Sequence, residues 1–421
     1  MMDLPSLLQL PNELLYKISG LAEPRDLLVL CQTNRRMHDI CLKWIYCTLV
    51  LEDLAQVVKC CRTLISCSEA AYSVCELTIA CHCPRVGLGS FYRLVACTVG
   101  RLTNLAVFDI SNSRSIFKYF SDKRFPNLLV CTIPSTIDTI SFLKGCPQIY
   151  HLSVIPSADG DLRLASPLQS VSMPNLRRFF GPPYVACAVI PGSLASSISI
   201  YWPLPDANLP MDFSGCLAAL AHSRRDVIYL KSMMPEWDCG IIPAITSHIP
   251  HVQHLAFQNL MDCKEREAFV SRIEGALHLL PRLQCIDLFE RTRPTAYTRA
   301  DEGTLDKEFE IMRRWGDHSP SLGFVTLPSH TRWIRDDGVW LPWPPTPNGH
   351  GPEMDLDYRW LFRVVDTIPD IPPVYATLAR HLAGSDGILA VQSAIENDGV
   401  VPDSILARAR ALRLQKSQRD A

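Results

Sequence analysis

The chain has 421 residues, 48% of them hydrophobic and 20% charged, enough to bury a large core in two or three domains and too apolar for a disordered chain. Lys and Arg number 41 against 43 Asp and Glu, a formal net charge of -2, so no bulk positive field recruits nucleic acid or an anionic membrane. The start, Met1-Met2-Asp3-Leu4-Pro5, lacks a signal peptide's basic and apolar regions, and the longest uncharged stretch, Phe179 to Pro205, is too broken by Pro and Ser for a membrane helix; the odd count of 17 cysteines then implies reduced thiols in the cytoplasm, the nucleus or both.

The first forty-odd residues carry the sharpest pattern. In Leu10-Pro11-Asn12-Glu13-Leu14-Leu15-Tyr16-Lys17-Ile18, Pro11 is expected at the first helical position, where its missing N–H leaves nothing unpaired, and Glu13 suits the positive end of the helix dipole. Leu10, Leu14 and Ile18 make one stripe that Leu15 widens, and Gly20 is a stop signal. Pro24-Arg25-Asp26 opens a second short helix through Leu27, Leu28 and Leu30. Asn34 is placed to cap a third, with Met37, Ile40, Cys41, Trp44 and Ile45 on its buried face. Three helices this short cannot cover so many large apolar side chains, so part of that surface should face another chain or the rest of this one. A helical cap on a following repeat is the alternative.

The order Leu10-Pro11-x-Glu13-Leu14-Leu15-x-x-Ile18-x-x-Leu21, then Asp26-Leu27-Leu28-x-Leu30, then Arg35-Arg36, resembles the F-box. The family's common Val-Cys before the third helix is Thr33-Asn34 here and its common Trp is Met37, changes that keep a helix start and an apolar plug. The resemblance implies a three-helix module over 1–50 that binds a Skp-type adaptor and through it a cullin. It also implies Leu10, Pro11, Leu14, Ile18, Leu27 and Leu30 as the residues that face the adaptor or support that face.

From residue 51 the cysteines cluster: Cys60, Cys61, Cys67, Cys75, Cys81 and Cys83, with His82 among them. Paired C-x2-4-C knuckles are missing, so core packing is the expectation and no metal is assigned. A second pattern then recurs, a Pro, one further residue, and apolar residues spaced three and two apart. It occurs at Pro126 with Leu128, Cys131 and Ile133, at Pro147 with Ile149, Leu152 and Val154, and at Pro174 with Leu176 and Phe179. It returns at Pro250 with Val252, Leu255 and Phe257, at Pro281 with Leu283, Ile286 and Leu288, and at Pro320 with Leu322, Val325 and Leu327. Leu102, Leu105, Phe108 and Ile110 repeat the spacing without Pro. Ile198–Trp202 and Val227–Leu230 are further strand candidates, and Asp262–Leu280 is a helical stretch.

The intervals from Pro126 to Pro147 and from Pro147 to Pro174 fit the roughly 20–29-residue period of leucine-rich repeats. Each unit would supply one short parallel strand and stack on its neighbours, giving an α/β chain: a degenerate leucine-rich-repeat solenoid over 51–330 behind the F-box. An ordinary α/β domain is the alternative. With the F-box-like start, the pattern resembles fungal F-box proteins with divergent repeats. Side chains between the buried apolar ones should line the concave face, among them Val107, Asp109, His151, Ser153, His254, Ala256, Cys285, Asp287, Phe324 and Thr326. That mixture lacks a dominant charge and suits a protein partner, with His254, Asp287 and Phe324 the assigned substrate contacts.

Residues 331–421 are expected to form a Pro-rich segment and a helical tail. Pro342, Pro344, Pro345, Pro347 and Pro352 sit beside Trp340 and Trp343, as a linker or cap on the last repeat or as a Pro-rich ligand. Residues 357–398 and a stretch from Asp403 have helical patterns. No P-loop, H-E-x-x-H or G-x-S-x-G occurs, and Gly87-Leu88-Gly89 fails as a dinucleotide fingerprint. His248, His251 and His254 recur every third residue, but Pro250 interrupts any helix that would gather them. The expectation is a non-enzymatic substrate-recognition subunit of a Skp–cullin–F-box ubiquitin ligase. A non-degradative F-box scaffold and an α/β enzyme are the alternatives.

Overall fold

In a computed structural model of the protein the described residues are 10–81, 89–110, 116–120, 123–136, 138–156, 170–203, 211–261, 265–290, 302–329, 331–336 and 339–343. They begin with α1 (Asn12–Ser19), α2 (Pro24–Cys31) and α3 (Arg35–Cys47). Pro11 precedes α1 instead of starting it. Its φ of -58° and ψ of 152° are extended, and its carbonyl accepts from the amides of Leu14 and Leu15. Asn34 caps α3 by accepting from the Met37 amide at 2.9 Å. Leu15, Leu27, Met37, Ile40 and Cys41 form the module's core, with Leu10, Leu30, Trp44 and Ile45 packed against it. The face expected of α3 is therefore the face it buries.

Trp44 closes this core from the side. Its indole N–H donates to the Tyr16 carbonyl at 2.9 Å and its ring lies 4.7 Å from the Tyr16 ring. A Cβ on Gly20 would stand 2.6 Å from that indole, so the close approach needs glycine. Arg36 ties down the entry to α1, donating to Asn12 Oδ1 at 2.7 Å and to the Leu10 carbonyl at 2.6 Å.

By compactness the chain divides into two units: residues 1–203 with 211–227, and residues 204–210 with 228–421. In the first, α3 is followed by β1 (Thr48–Leu51), α4 (Leu54–Ser66), α5 (Ser68–Ser73), β2 (Glu76–Ile79), α6 (Gly89–Val99) and β3 (Val107–Asp109). Next come β4 (Val130–Pro134), α7 (Thr139–Leu143), β5 (His151–Ile155), β6 (Arg178–Gly181), α8 (Pro183–Val189), β7 (Ser197–Tyr201) and α9 (Phe213–Ala221). From β1 to β7 each strand pairs in parallel with the next in sequence. β1 begins directly after α3, so the expected module boundary at residue 50 falls inside a strand.

The second unit runs β8 (Tyr229–Met234), α10 (Ile241–His248), β9 (His254–Asn259), α11 (Arg266–Ala276), β10 (Cys285–Glu290), α12 (Glu302–His318) and β11 (Phe324–Thr326). Strands β8 to β11 are again parallel neighbours in sequence order. Then β12 (Arg332–Asp336) folds back antiparallel onto β11, and β13 (Val339–Trp343) pairs antiparallel with β12. The sheet thus continues past residue 330, and Val339–Trp343 is its last described strand. Residues 344–352 of the Pro-rich segment, and the helices expected over 357–398 and from Asp403, lie outside the described residues.

The recurrent Pro has a specific task. In each copy it is the second residue of a β-turn, the position its fixed φ favours, and the turn closes by an i to i+3 bond. The Leu128 amide donates to Phe125, Ile149 to Cys146, Leu176 to Met173, Val252 to Ile249, Leu283 to Leu280 and Leu322 to Ser319. Two successive amides beyond each turn share one carbonyl of the preceding unit: those of Tyr150 and His151 use Leu129, and those of Gln284 and Cys285 use Gln253. The third turn residue often links back as well. Asn127 donates to the Thr103 carbonyl at 2.9 Å, Asn175 to Gln148 Oε1 at 2.7 Å and Ser321 to the Leu283 carbonyl at 2.8 Å. These links satisfy turn polar groups.

Alternation in the strands buries Phe108, Cys131, Leu152, Phe179 and Ile198 in the first unit and Leu230, Leu255, Ile286, Val325 and Trp333 in the second. Helices cover that side. Phe120 stands edge-on to Phe108 and is itself ringed by Phe117, Phe125 and Phe142, while Phe269 packs against both Phe257 and Trp237.

Candidate functional site

Two faces project from this scaffold. On the N-terminal module the buried side of α1 is Leu15, so the adjacent Leu14 and Ile18 point to solvent with 46% and 42% of their surface exposed. Leu21, Leu28 and Val29 are more exposed still, Leu21 at 89%. Five large apolar side chains on so small a module form a surface that water covers poorly. Among the residues singled out in the sequence, Pro11 is exposed, while Leu10 and Leu30 are half-buried supports and Leu27 is core. Leu27 can hold α2 in place and cannot itself contact a partner. Val29 was missed because an exposed valine on a short helix has no signal apart from tertiary burial.

The second face is the side of the strands opposite the covering helices. Parallel register fixes its rows. In the first unit Val107, Val130, His151, Arg178 and Ser197 stand side by side, and Asp109, Thr132, Ser153, Phe180 and Ser199 form the next row. Burial and the neighbouring Arg178 hold the His151 pKa below its usual value.

In the second unit one row is Tyr229, His254, Cys285 and Phe324, and the next is Lys231, Ala256, Asp287, Thr326 and Arg332. The structure brings His254 and Asp287 into contact, Nε2 to Oδ2 at 2.6 Å. Thr326 donates to the other carboxylate oxygen at 2.6 Å, and Cys285 Sγ lies 3.8 Å from Oδ2. Phe324 is set apart, exposed beneath the Arg332 guanidinium at 5.2 Å. Burial opposes ionisation of Asp287, but the hydrogen bonds from His254 and Thr326 and the positive field of Arg332 leave its pKa below the ordinary carboxylate value. Burial pushes the Cys285 thiol up to about 12, with Asp287 adding to the effect. Lys231 is shifted down by burial, partly offset by Asp287.

Lys231 and Arg332 were missed on the sequence. The candidate strand there ended at Leu230, and β12 lay beyond the expected repeats. They add to the face expected to lack a dominant charge: in the second unit it carries two cations around the Asp287 carboxylate. His248, His251 and His254 fall on a helix end, a turn and a strand. Cys60, Cys61, Cys67, Cys75 and Cys81 do not gather as metal ligands among the described residues, and His82 and Cys83 lie outside them. Cys61 is buried in α4, and burial raises the Cys60 pKa to about 11.

Residues 7–52, which contain α1 to α3 and β1, match the family model described as F-box-like. F-box domains generally bind Skp-type adaptors, and the match suggests a ubiquitin-ligase adaptor role in general. No curated protein matches the chain. No helix among the described residues is long and apolar enough to cross a membrane.

Proposed function

We propose that the chain is the substrate-recognition subunit of a Skp–cullin–F-box type ubiquitin ligase. The N-terminal module docks on the Skp-type adaptor and so on a cullin, and the strand-and-helix units form a degenerate leucine-rich-repeat solenoid of the fungal kind that holds a protein substrate. The observation that carries this reading is the F-box-like match over a module that leaves Leu14, Ile18, Leu21, Leu28 and Val29 open to solvent. Apolar area of that kind is stabilised when a partner covers it. Pro11 completes the adaptor-facing set, and Leu10, Leu27 and Leu30 support that face from beneath. His254, Asp287 and Phe324 lie on the face assigned to substrate.

The chain itself performs no chemistry in this reading and works in the cytoplasm, the nucleus or both. Holding substrate near a ubiquitin-charged enzyme raises its effective concentration there. Co-purification of the full chain with a Skp-type adaptor and a cullin, followed by transfer of ubiquitin to captured proteins, is the test. Adaptor binding without ubiquitin transfer would make the chain a non-degradative scaffold, and no adaptor binding would remove the reading.

A further inference from the structure

The contact among His254, Cys285 and Asp287 is of a kind that recognition of a protein does not require. One imidazole nitrogen, one thiol sulfur and one carboxylate oxygen lie within 4.8 Å of one another. Backbone register enforces the grouping. His254 stands opposite Cys285 across the β9–β10 ladder, and Asp287 follows Cys285 on the same face of β10. From these residues we propose a binding site for a thiophilic divalent metal ion, zinc by preference, with His254 Nε2, Cys285 Sγ and Asp287 Oδ2 as ligands. The proposal does not rest on the ubiquitin-ligase reading.

Three arguments carry it. The first is distance. Zinc takes nitrogen and oxygen at about 2.0–2.1 Å and sulfur at about 2.3 Å in tetrahedral array, so neighbouring ligand atoms stand roughly 3.3–3.6 Å apart. Here the His254–Asp287 and Cys285–Asp287 separations are 2.6 and 3.8 Å and bracket that range. Opening the first by less than about 1 Å, a side-chain torsional change, makes room for the ion. The second argument is donor type. Thiolate with imidazole selects zinc over magnesium or calcium, which prefer oxygen alone. The third is support. Thr326 holds the Oδ1 atom of Asp287 at 2.6 Å, leaving Oδ2 for the metal, and the Tyr229 ring meets His254 edge-on at 4.7 Å, fixing the imidazole.

The proton balance is simple. The ion forms an S–metal bond and the thiol proton leaves to solvent, with a second proton released from any imidazolium. Metal charge supplies what a buried thiol lacks for ionisation. Lys231 and Arg332 oppose a cation on this face and lower the affinity from that of an uncharged surround. Three protein ligands leave the fourth tetrahedral position to water or to a side chain of a bound partner. The Cys60–Cys83 group attracts attention in the sequence, whereas these ligands come from two strands 31 residues apart, His254 to Cys285.

Cobalt(II) titration of the full chain, stripped of metal and kept in a non-thiol reductant, tests the site. One tightly bound equivalent should give a thiolate-to-cobalt charge-transfer band that zinc abolishes. The band should vanish in Cys285→Ala and in His254→Gln, and persist in Cys97→Ala, an exposed cysteine elsewhere. Thr326→Val, which removes only the support, should weaken the metal by about 10–100-fold. Circular dichroism and melting of each metal-free variant establish that the fold is kept, and the titration is then read on whichever of the two ligand variants keeps it. No thiolate band in the parent chain, or a band unchanged in a folded ligand variant, would overturn the proposal. The cluster would then be a hydrogen-bonded network only.

Discussion

Leu14 and Leu15 are adjacent, chemically identical and predicted to behave oppositely. Leu15 is fully enclosed by Leu27, Met37, Ile40 and Cys41, so Leu15→Ala should cost about 2–5 kcal/mol of module stability through lost burial and a residual cavity. Leu14 faces solvent at the third residue of α1. Leu14→Asp there gives up the packing of the covered half, roughly 1 kcal/mol, and sets a carboxylate in the first turn, where the helix dipole offsets that loss by about 0.3–1 kcal/mol. Its net effect on folding should stay within about 0.5 kcal/mol. Docking is another matter. Covering the open half of Leu14 contributes roughly 1 kcal/mol of the roughly 1.5–3 available from a whole leucine. A carboxylate trapped unpaired in an apolar interface adds a penalty of several kcal/mol. The sum of about 3 kcal/mol or more corresponds to at least about 100-fold in affinity. Denaturant unfolding of the full chain and calorimetric binding to a purified Skp-type adaptor measure the two effects separately. The reasoning fails if Leu14→Asp binds within a few-fold of the parent, or if it unfolds the module as Leu15→Ala does.

Three further outcomes are expected. Burial raises the pKa of Glu308, which accepts from the Trp333 indole at 3.0 Å, so the folded state holds its proton more tightly than the unfolded state and stability should fall as pH rises from the ordinary carboxylate range through the raised value; Glu308→Gln should flatten that fall in melting curves at pH 4 and 7, and an unchanged slope would exclude Glu308 as its source. Gly20→Ala should destabilise the module by about 1–3 kcal/mol, because the new methyl meets the Trp44 indole and forces it away from Tyr16; parent-like unfolding with unaltered tryptophan fluorescence would contradict this. Replacing His254, Asp287 and Phe324 together by Ala should reduce crosslinked substrate proteins while adaptor affinity stays the same, and identical crosslinked sets would move the substrate surface elsewhere.

The sequence alone located much of this protein because several of its signals are local. Asn34 caps α3 through an amide three residues away, and the Pro of each repeat closes a four-residue turn, so both are legible without the rest of the chain. The same holds for the strands after Pro126, Pro147, Pro250 and Pro281, whose alternation needs only one covered face. Thr48–Leu51 was not legible as a strand, since nothing but its pairing with Glu76–Ile79 distinguishes it from the end of α3. Arg332–Asp336 and Val339–Trp343 were hidden beside the Pro-rich run and became strands through the pairing of β12 with β11 and of β13 with β12.

Which leucine of α1 enters the core is likewise a tertiary decision. Leu10, Leu14 and Ile18 form as good a stripe as Leu15 offers, and the seat taken by α3 selects Leu15. The sequence could also assign His254, Cys285 and Asp287 to one face by alternation. Only the register of β9 against β10, fixed by the Gln253 carbonyl that the Gln284 and Cys285 amides share, brings their three donor atoms together. A one-residue slip of that ladder would turn His254 against the opposite face, because side chains alternate with period two.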